Sequence, residues 1–107
     1  MATIGKVQGF KKPAAATPVV LYTVPGSTQA NTNLFVANQG TVPDYIRVAL
    51  TQSGSALAVT DYIAWDVRVN ENTSINFTGL ALGAGDFITV RSLNGDCSFV
   101  ATGLEIA

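Results

Sequence analysis

The chain has 107 residues, enough for one hydrophobic core and too few for two. Charged residues make up only 12% of it, about half the usual share, while hydrophobic residues are an ordinary 48%, so Thr, Ser, Asn and Gly replace ions on the surface. With no histidine and a single cysteine, Cys97, the composition excludes an internal disulfide framework, a zinc site and histidine-based nucleophilic catalysis.

The first seventeen residues differ from the rest. Lys6, Lys11 and Lys12 are the only charges before Thr17, so this leader carries +3. The remainder sets Arg47, Arg68 and Arg91 against Asp44, Asp61, Asp66, Glu71, Asp86, Asp96 and Glu105, for −4. The leader ends in Lys12-Pro13-Ala14-Ala15-Ala16-Thr17-Pro18, which has little to bury. The expectation is an extended arm over residues 1–17 and a β-sandwich domain over residues 18–107. Ile4, Val7 and Phe10 recur at spacing three and would lie in water unless a partner covered them, while Lys6, Lys11 and Lys12 would meet acidic patches on that partner. Residues 3–9 suit an eighth strand, added either to a neighbour's sheet edge or to their own sheet.

From Pro18 onward, short apolar runs cut by turn residues indicate an all-β domain. The runs are Val19 to Val24, Asn33 to Asn38, Tyr45 to Thr51, Tyr62 to Val69, Ser74 to Leu80, Phe87 to Leu93 and Cys97 to Ile106. Alternation turns Ile46, Val48 and Leu50 to one face, and Ile63, Trp65, Val67 and Val69 likewise. Ile75, Phe77, Ile88 and Val90 also read as inward. Ala56 to Asp61 has room for one helical turn. Asn94-Gly95 predicts a tight hairpin pairing the last two strands, and Gly103 marks an expected bulge. Seven strands after the leader predict a two-layer antiparallel β-sandwich, jelly-roll-like or immunoglobulin-like, with a partly open barrel as a further option.

No constellation for catalysis emerges, and the chain reads as a non-enzyme without cofactor or metal. Asp61 and Asp66 lie on opposite faces by parity, and Asn94-Gly95-Asp96 offers too few oxygens for calcium. Cys97 and Trp65 read as core residues. Tyr22, Tyr45 and Tyr62 fall off the best apolar faces and are candidate subunit-interface residues. Three lysines without interleaved aromatics are a poor footprint for nucleic acid. No apolar run has the length of a membrane span, and Met1 to Lys6 lacks the layout of a secretory signal, so neither membrane nor export is expected. A surface so poor in ions can be buried between subunits without stranding charge, which favours an oligomer.

In chain order come Val20-Leu21-Tyr22-Thr23-Val24-Pro25, Asn33-Leu34-Phe35-Val36-Ala37-Asn38, Val48-Ala49-Leu50, Asp61-Tyr62-Ile63-Ala64-Trp65-Asp66 and Leu82-Gly83-Ala84-Gly85-Asp86. In this layout the chain resembles small virion structural proteins of tailed bacteriophages, particularly those of cyanobacterial phages. The resemblance implies a structural protein of the virion, assembled in the host cytoplasm. A capsid decoration (cement) protein of this kind is commonly a homotrimer whose terminal arms strap neighbouring major capsid proteins. A neck, tail or fibre-associated module, binding host-surface glycans through Tyr45 and Tyr62, is the alternative.

Overall fold

Eight strands account for most of the chain in the computed structural model, which describes residues 3–107. They are β1 (Thr3–Lys11), β2 (Val19–Thr23), β3 (Gln29–Asn38), β4 (Asp44–Thr51), β5 (Tyr62–Val69), β6 (Ser74–Leu82), β7 (Phe87–Ser92) and β8 (Cys97–Ile106). One 3-10 turn at Val59–Asp61 falls where a helical turn was expected. All seven strands foreseen after the leader are present, with β3 starting four residues earlier, at Gln29.

The strands form two antiparallel sheets of four, ordered β1-β8-β3-β6 and β2-β7-β4-β5. The pairings β1·β8, β2·β7, β3·β6 and β4·β5 nest inside one another. This is one long hairpin rolled into a sandwich, closed by β3·β8 and β4·β7. Such nesting defines a jelly roll and sets aside the immunoglobulin order. Leu34, Val36, Ile46, Val48, Ile88, Val90 and Phe99 are wholly buried between the sheets. Each such side chain stabilises the fold by about 1.5–3 kcal/mol relative to exposure.

The leader meets one of its two expectations: residues 3–9 do lie in an eighth strand, paired with their own sheet, while the free arm is not seen. Residues Thr3 to Lys11 are not an arm awaiting a neighbour; they pair along β8 of their own subunit, from Thr3↔Ile106 to Lys11↔Phe99. Gly9 permits this, because a Cβ there would lie 2.3 Å from the Leu21 carbonyl oxygen of β2. Lys6 adds an ion pair to Glu105 of β8 at 3.1 Å. The following segment is docked as well, with Pro13 buried and the Ala16 N–H donating to the Ser92 carbonyl at 2.8 Å. β1 is therefore a strand of the sandwich, and the proposed division at residue 17 does not separate an arm from a body.

The last two strands also differ from the hairpin predicted at Asn94-Gly95. β7 and β8 lie in different sheets, so the turn between them crosses the sandwich. Buried Asp44 organises that crossing. Its carboxylate accepts the N–H groups of Tyr45 (2.7 Å), Asn94 (2.9 Å) and Asp96 (3.3 Å), and the Ser92 hydroxyl. Amides that would have paired across a hairpin are satisfied by one side chain instead. Gly103 marks no bulge, since its pairing with both neighbours is continuous. It is glycine because a Cβ would lie 1.9 Å from the Asn31 carbonyl oxygen of β3.

The irregularities sit on the four edge strands. β1 carries an extra residue at Gln8, β2 at Leu21 and β6 at Thr78-Gly79. β5 has two, at Ile63 and at Trp65-Asp66. Bulged edges twist away from the flat template that another strand would need.

Candidate partner-binding surfaces

Because side chains alternate across a strand, each sheet presents one face to the core and one outward. The outward faces of the two sheets have opposite chemistry. On the β2-β7-β4-β5 sheet the outward row includes Tyr45, Arg47, Arg68 and Arg91. The bulge in β5 places Trp65 and Asp66 together opposite Arg47, with Asp66 at φ +52° in the left-handed region that Asp tolerates. Arg47 donates to Asp66 through Nε at 2.7 Å and Nη2 at 3.2 Å. Its guanidinium carbon lies 3.6 Å from the centre of the Trp65 ring. Tyr62 meets the same indole edge-on at 4.9 Å and 88°. Arg91 approaches Asp66 at 3.9 Å. The Arg47 hydrogen bonds hold the Asp66 carboxyl below its ordinary value against partial burial, and Asp66 raises Arg47 in return.

Trp65 is thus not a core residue: it is 51% exposed. The bulge shifts the alternation of β5 by one, so Ala64 turns inward opposite Val48 while Ile63 and Trp65 turn out. Tyr22 moves the other way. The extra residue at Leu21 brings it opposite Ile88 and into the core, so it is not an interface residue. Its hydroxyl donates to Glu105, and burial together with that carboxylate pushes its own pKa far up. Tyr45 and Tyr62 remain on the outward face, half-buried.

Among the described residues, the outward face of the β1-β8-β3-β6 sheet bears no charged side chain. Cross-strand register aligns Phe10, Val100, Phe35 and Asn76 in one row over all four strands. Val7, Thr102 and Asn33 form the next row, and Gly5, Leu104, Asn31 and Ala81 the one after it. Among the described residues, none of the six Lys and Arg or seven Asp and Glu falls on this face. Phe10 is 73% exposed, Val7 58%, and Phe35 and Leu104 43% each. Of the leader residues, Val7 and Phe10 belong to this face, whereas Ile4 and Lys6 lie on the opposite side of β1 and Lys11 and Lys12 are exposed near its end.

Other groups considered from the sequence are occupied structurally. Asp61 accepts from Thr51 Oγ1 and the Ala58 N–H, both at 2.9 Å, and does not share partners with Asp66. Cys97 is buried, and burial plus the nearby Asp44 carboxylate pushes its thiol up to about 12. Among the described residues, no group of three or more His, Cys, Asp and Glu is placed to hold a metal.

Two inward carboxyls give a pH signature. The Tyr22 hydroxyl, with help from Lys6, holds Glu105 below its ordinary value despite burial. Burial alone would raise Asp44, but the Ser92 hydroxyl and the N–H groups of Asn94 and Tyr45 bring it down. Depressed folded values stabilise the fold above the unfolded values near pH 4, and that stabilisation disappears as pH falls through the folded ones. Thermal melts should be flat from neutrality to about pH 5 and drop below about pH 4, less steeply in Glu105→Gln.

In comparison with known proteins, no family model matches the chain and no curated sequence is similar enough to count as a relative. The strand order and the two faces define a class, a jelly-roll β-sandwich with two chemically distinct outward surfaces.

Proposed function

We propose that this protein is a non-enzymatic structural subunit of a tailed-bacteriophage virion, a capsid decoration protein that stabilises neighbouring major capsid proteins from the outside of the shell. The observation that carries the reading is the pair of chemically distinct outward faces on opposite sides of the sandwich, one ionic and aromatic, the other without charged side chains among the described residues. The sequence resemblance to phage virion proteins supplies the setting. Since β1 belongs to its own sheet, the grip on the particle is assigned to a face rather than to a free arm. Trp65, Tyr62 and Arg47 are the three residue types most enriched where interfaces carry their binding energy, and here they touch one another. That cluster is the contact with the major capsid protein. Lys11 and Lys12 add exposed positive charge near the end of β1, each contributing on the order of 1 kcal/mol or less.

The same cluster favours one second reading, a tail, neck or fibre-associated module that stacks host-surface glycans on Trp65 and Tyr62. Co-sedimentation separates the two. Isolated protein should bind decoration-free shells of the phage and saturate at a fixed copy number per shell. Saturable binding to host polysaccharide, with none to shells, would replace the decoration reading with the glycan one.

A further inference from the structure

The uncharged face of the β1-β8-β3-β6 sheet has no role in that grip, and its composition restricts what can cover it. A partner bringing Lys, Arg, Asp or Glu to this surface would bury ions against a face that offers no counter-ion, which is strongly unfavourable. The occupant must itself be flat, neutral and apolar at its centre. One surface among the described residues meets that requirement, and it is this same face on another copy of the chain.

The geometry points to a two-fold homodimer in which the β1-β8-β3-β6 sheets of two copies pack face to face, with Phe10, Val100 and Phe35 at the centre and Val7 and Leu104 beside them. The proposal rests on the reading of the chain as an assembly subunit and names the surface by which copies join. Size agrees: strands of nine or ten residues, at about 3.3 Å per residue and about 4.8 Å between strands, give a face of roughly 30 by 19 Å. With side-chain relief this approaches the ~800 Å² per partner of a standard stable interface. Edge-to-edge growth is the competing way for a β protein to self-associate, and here every edge strand is bulged. The contact must therefore be between faces. It is isologous and closes at two copies, so the three-fold ring implied by the family resemblance would need another surface.

Sedimentation equilibrium of the full chain over a wide concentration range tests this. The expected result is a monomer–dimer equilibrium that added sodium chloride leaves unchanged or tightens, since no ion pair forms across it. Phe35→Lys should weaken the dimer by roughly a hundredfold or more, because it buries an unpaired ammonium. Phe10→Lys, on the more exposed edge strand, should weaken it too, and both variants should keep the wild-type circular dichroism and melt like the wild type at concentrations where the wild type is itself monomeric. A wild-type monomer at every concentration would overturn the proposal. So would a dimer indifferent to both substitutions but dissociated by salt or by Arg47→Ala, which would move the contact to the other sheet. A wild-type monomer that still binds shells would remove the self-contact and leave the decoration reading standing; a dimer that binds no shells would support the self-contact and remove decoration.

Discussion

Asp44→Ala should lower the free energy of unfolding by about 3–4 kcal/mol, the largest stability loss expected of a single polar substitution in this chain. The carboxylate is wholly buried and accepts from three backbone N–H groups and the Ser92 hydroxyl. Truncation leaves these donors without a partner, and each costs roughly 1–3 kcal/mol where water cannot reach it. Tyr45, Asn94 and Asp96 are only partly buried there, so the sum falls towards the lower end. The effect reaches beyond the turn, because the segment from Ser92 to Cys97 carries the chain from one sheet to the other. Total stability of such a domain is about 5–15 kcal/mol, so the variant should melt roughly 12–30 °C lower. Asp44→Asn keeps one acceptor oxygen and should fall between. Urea titration with matched m-values measures the difference, and a loss under about 1 kcal/mol would mean that the turn holds without this carboxylate.

Trp65→Ala should weaken binding to decoration-free shells by about thirtyfold or more while leaving the fold intact. Half of the indole is already in solvent, and the groups that hold it are on the surface. Removing it takes away the platform against which Arg47 and Tyr62 are fixed, so both lose their preset orientation as well. Arg47→Ala should produce a similar loss by a different route. It leaves Asp66 without its bidentate partner and the indole face uncovered. By contrast, Lys12→Ala should change binding by about 1 kcal/mol or less, since a lone exposed lysine contributes little. Co-sedimentation with shells at varying protein concentration gives these ratios directly. Equal binding by wild type and Trp65→Ala would exclude the aromatic cluster as the grip.

The strands themselves were legible because their signals are local. Apolar alternation bounded by Gly, Pro, Asn and Ser placed seven strands with ends correct to a few residues, and it identified Ile46, Val48, Ile88 and Val90 as core. What the pattern could not carry was the effect of a bulge. One extra residue reverses the face of everything beyond it, and whether a residue is extra depends on the partner strand. Trp65 and Tyr22 therefore exchanged places with their expected positions, one leaving the core and the other entering it. The hairpin at Asn94-Gly95 failed for a related reason: a turn that suits a hairpin also suits a crossing when a remote carboxylate, Asp44, takes up its amides. That the leader's strand pairs with its own sheet rather than a neighbour's was not legible, because β1 buries few side chains. It is held by backbone pairing, by Lys6 on Glu105 and by the missing Cβ of Gly9, none of which leaves an apolar stripe.

The low charge of the chain was plain from composition, yet composition says nothing about where the few ions sit. Only the register shows that one face collects Arg47, Asp66, Arg68 and Arg91 while the other, among the described residues, has no charged side chain. That segregation is the basis for assigning the particle to one face and a second copy to the other.

Imaging intact virions at subunit resolution tests this division most directly. The account predicts density for this sandwich on the outside of the capsid, in which the inner copy of each pair lays the sheet bearing Trp65 against the shell and turns the sheet bearing Phe35 away from it, onto a second copy whose own Trp65 sheet faces outward. Density confined to the tail or fibres, or a capsid contact made through the uncharged sheet, would contradict it.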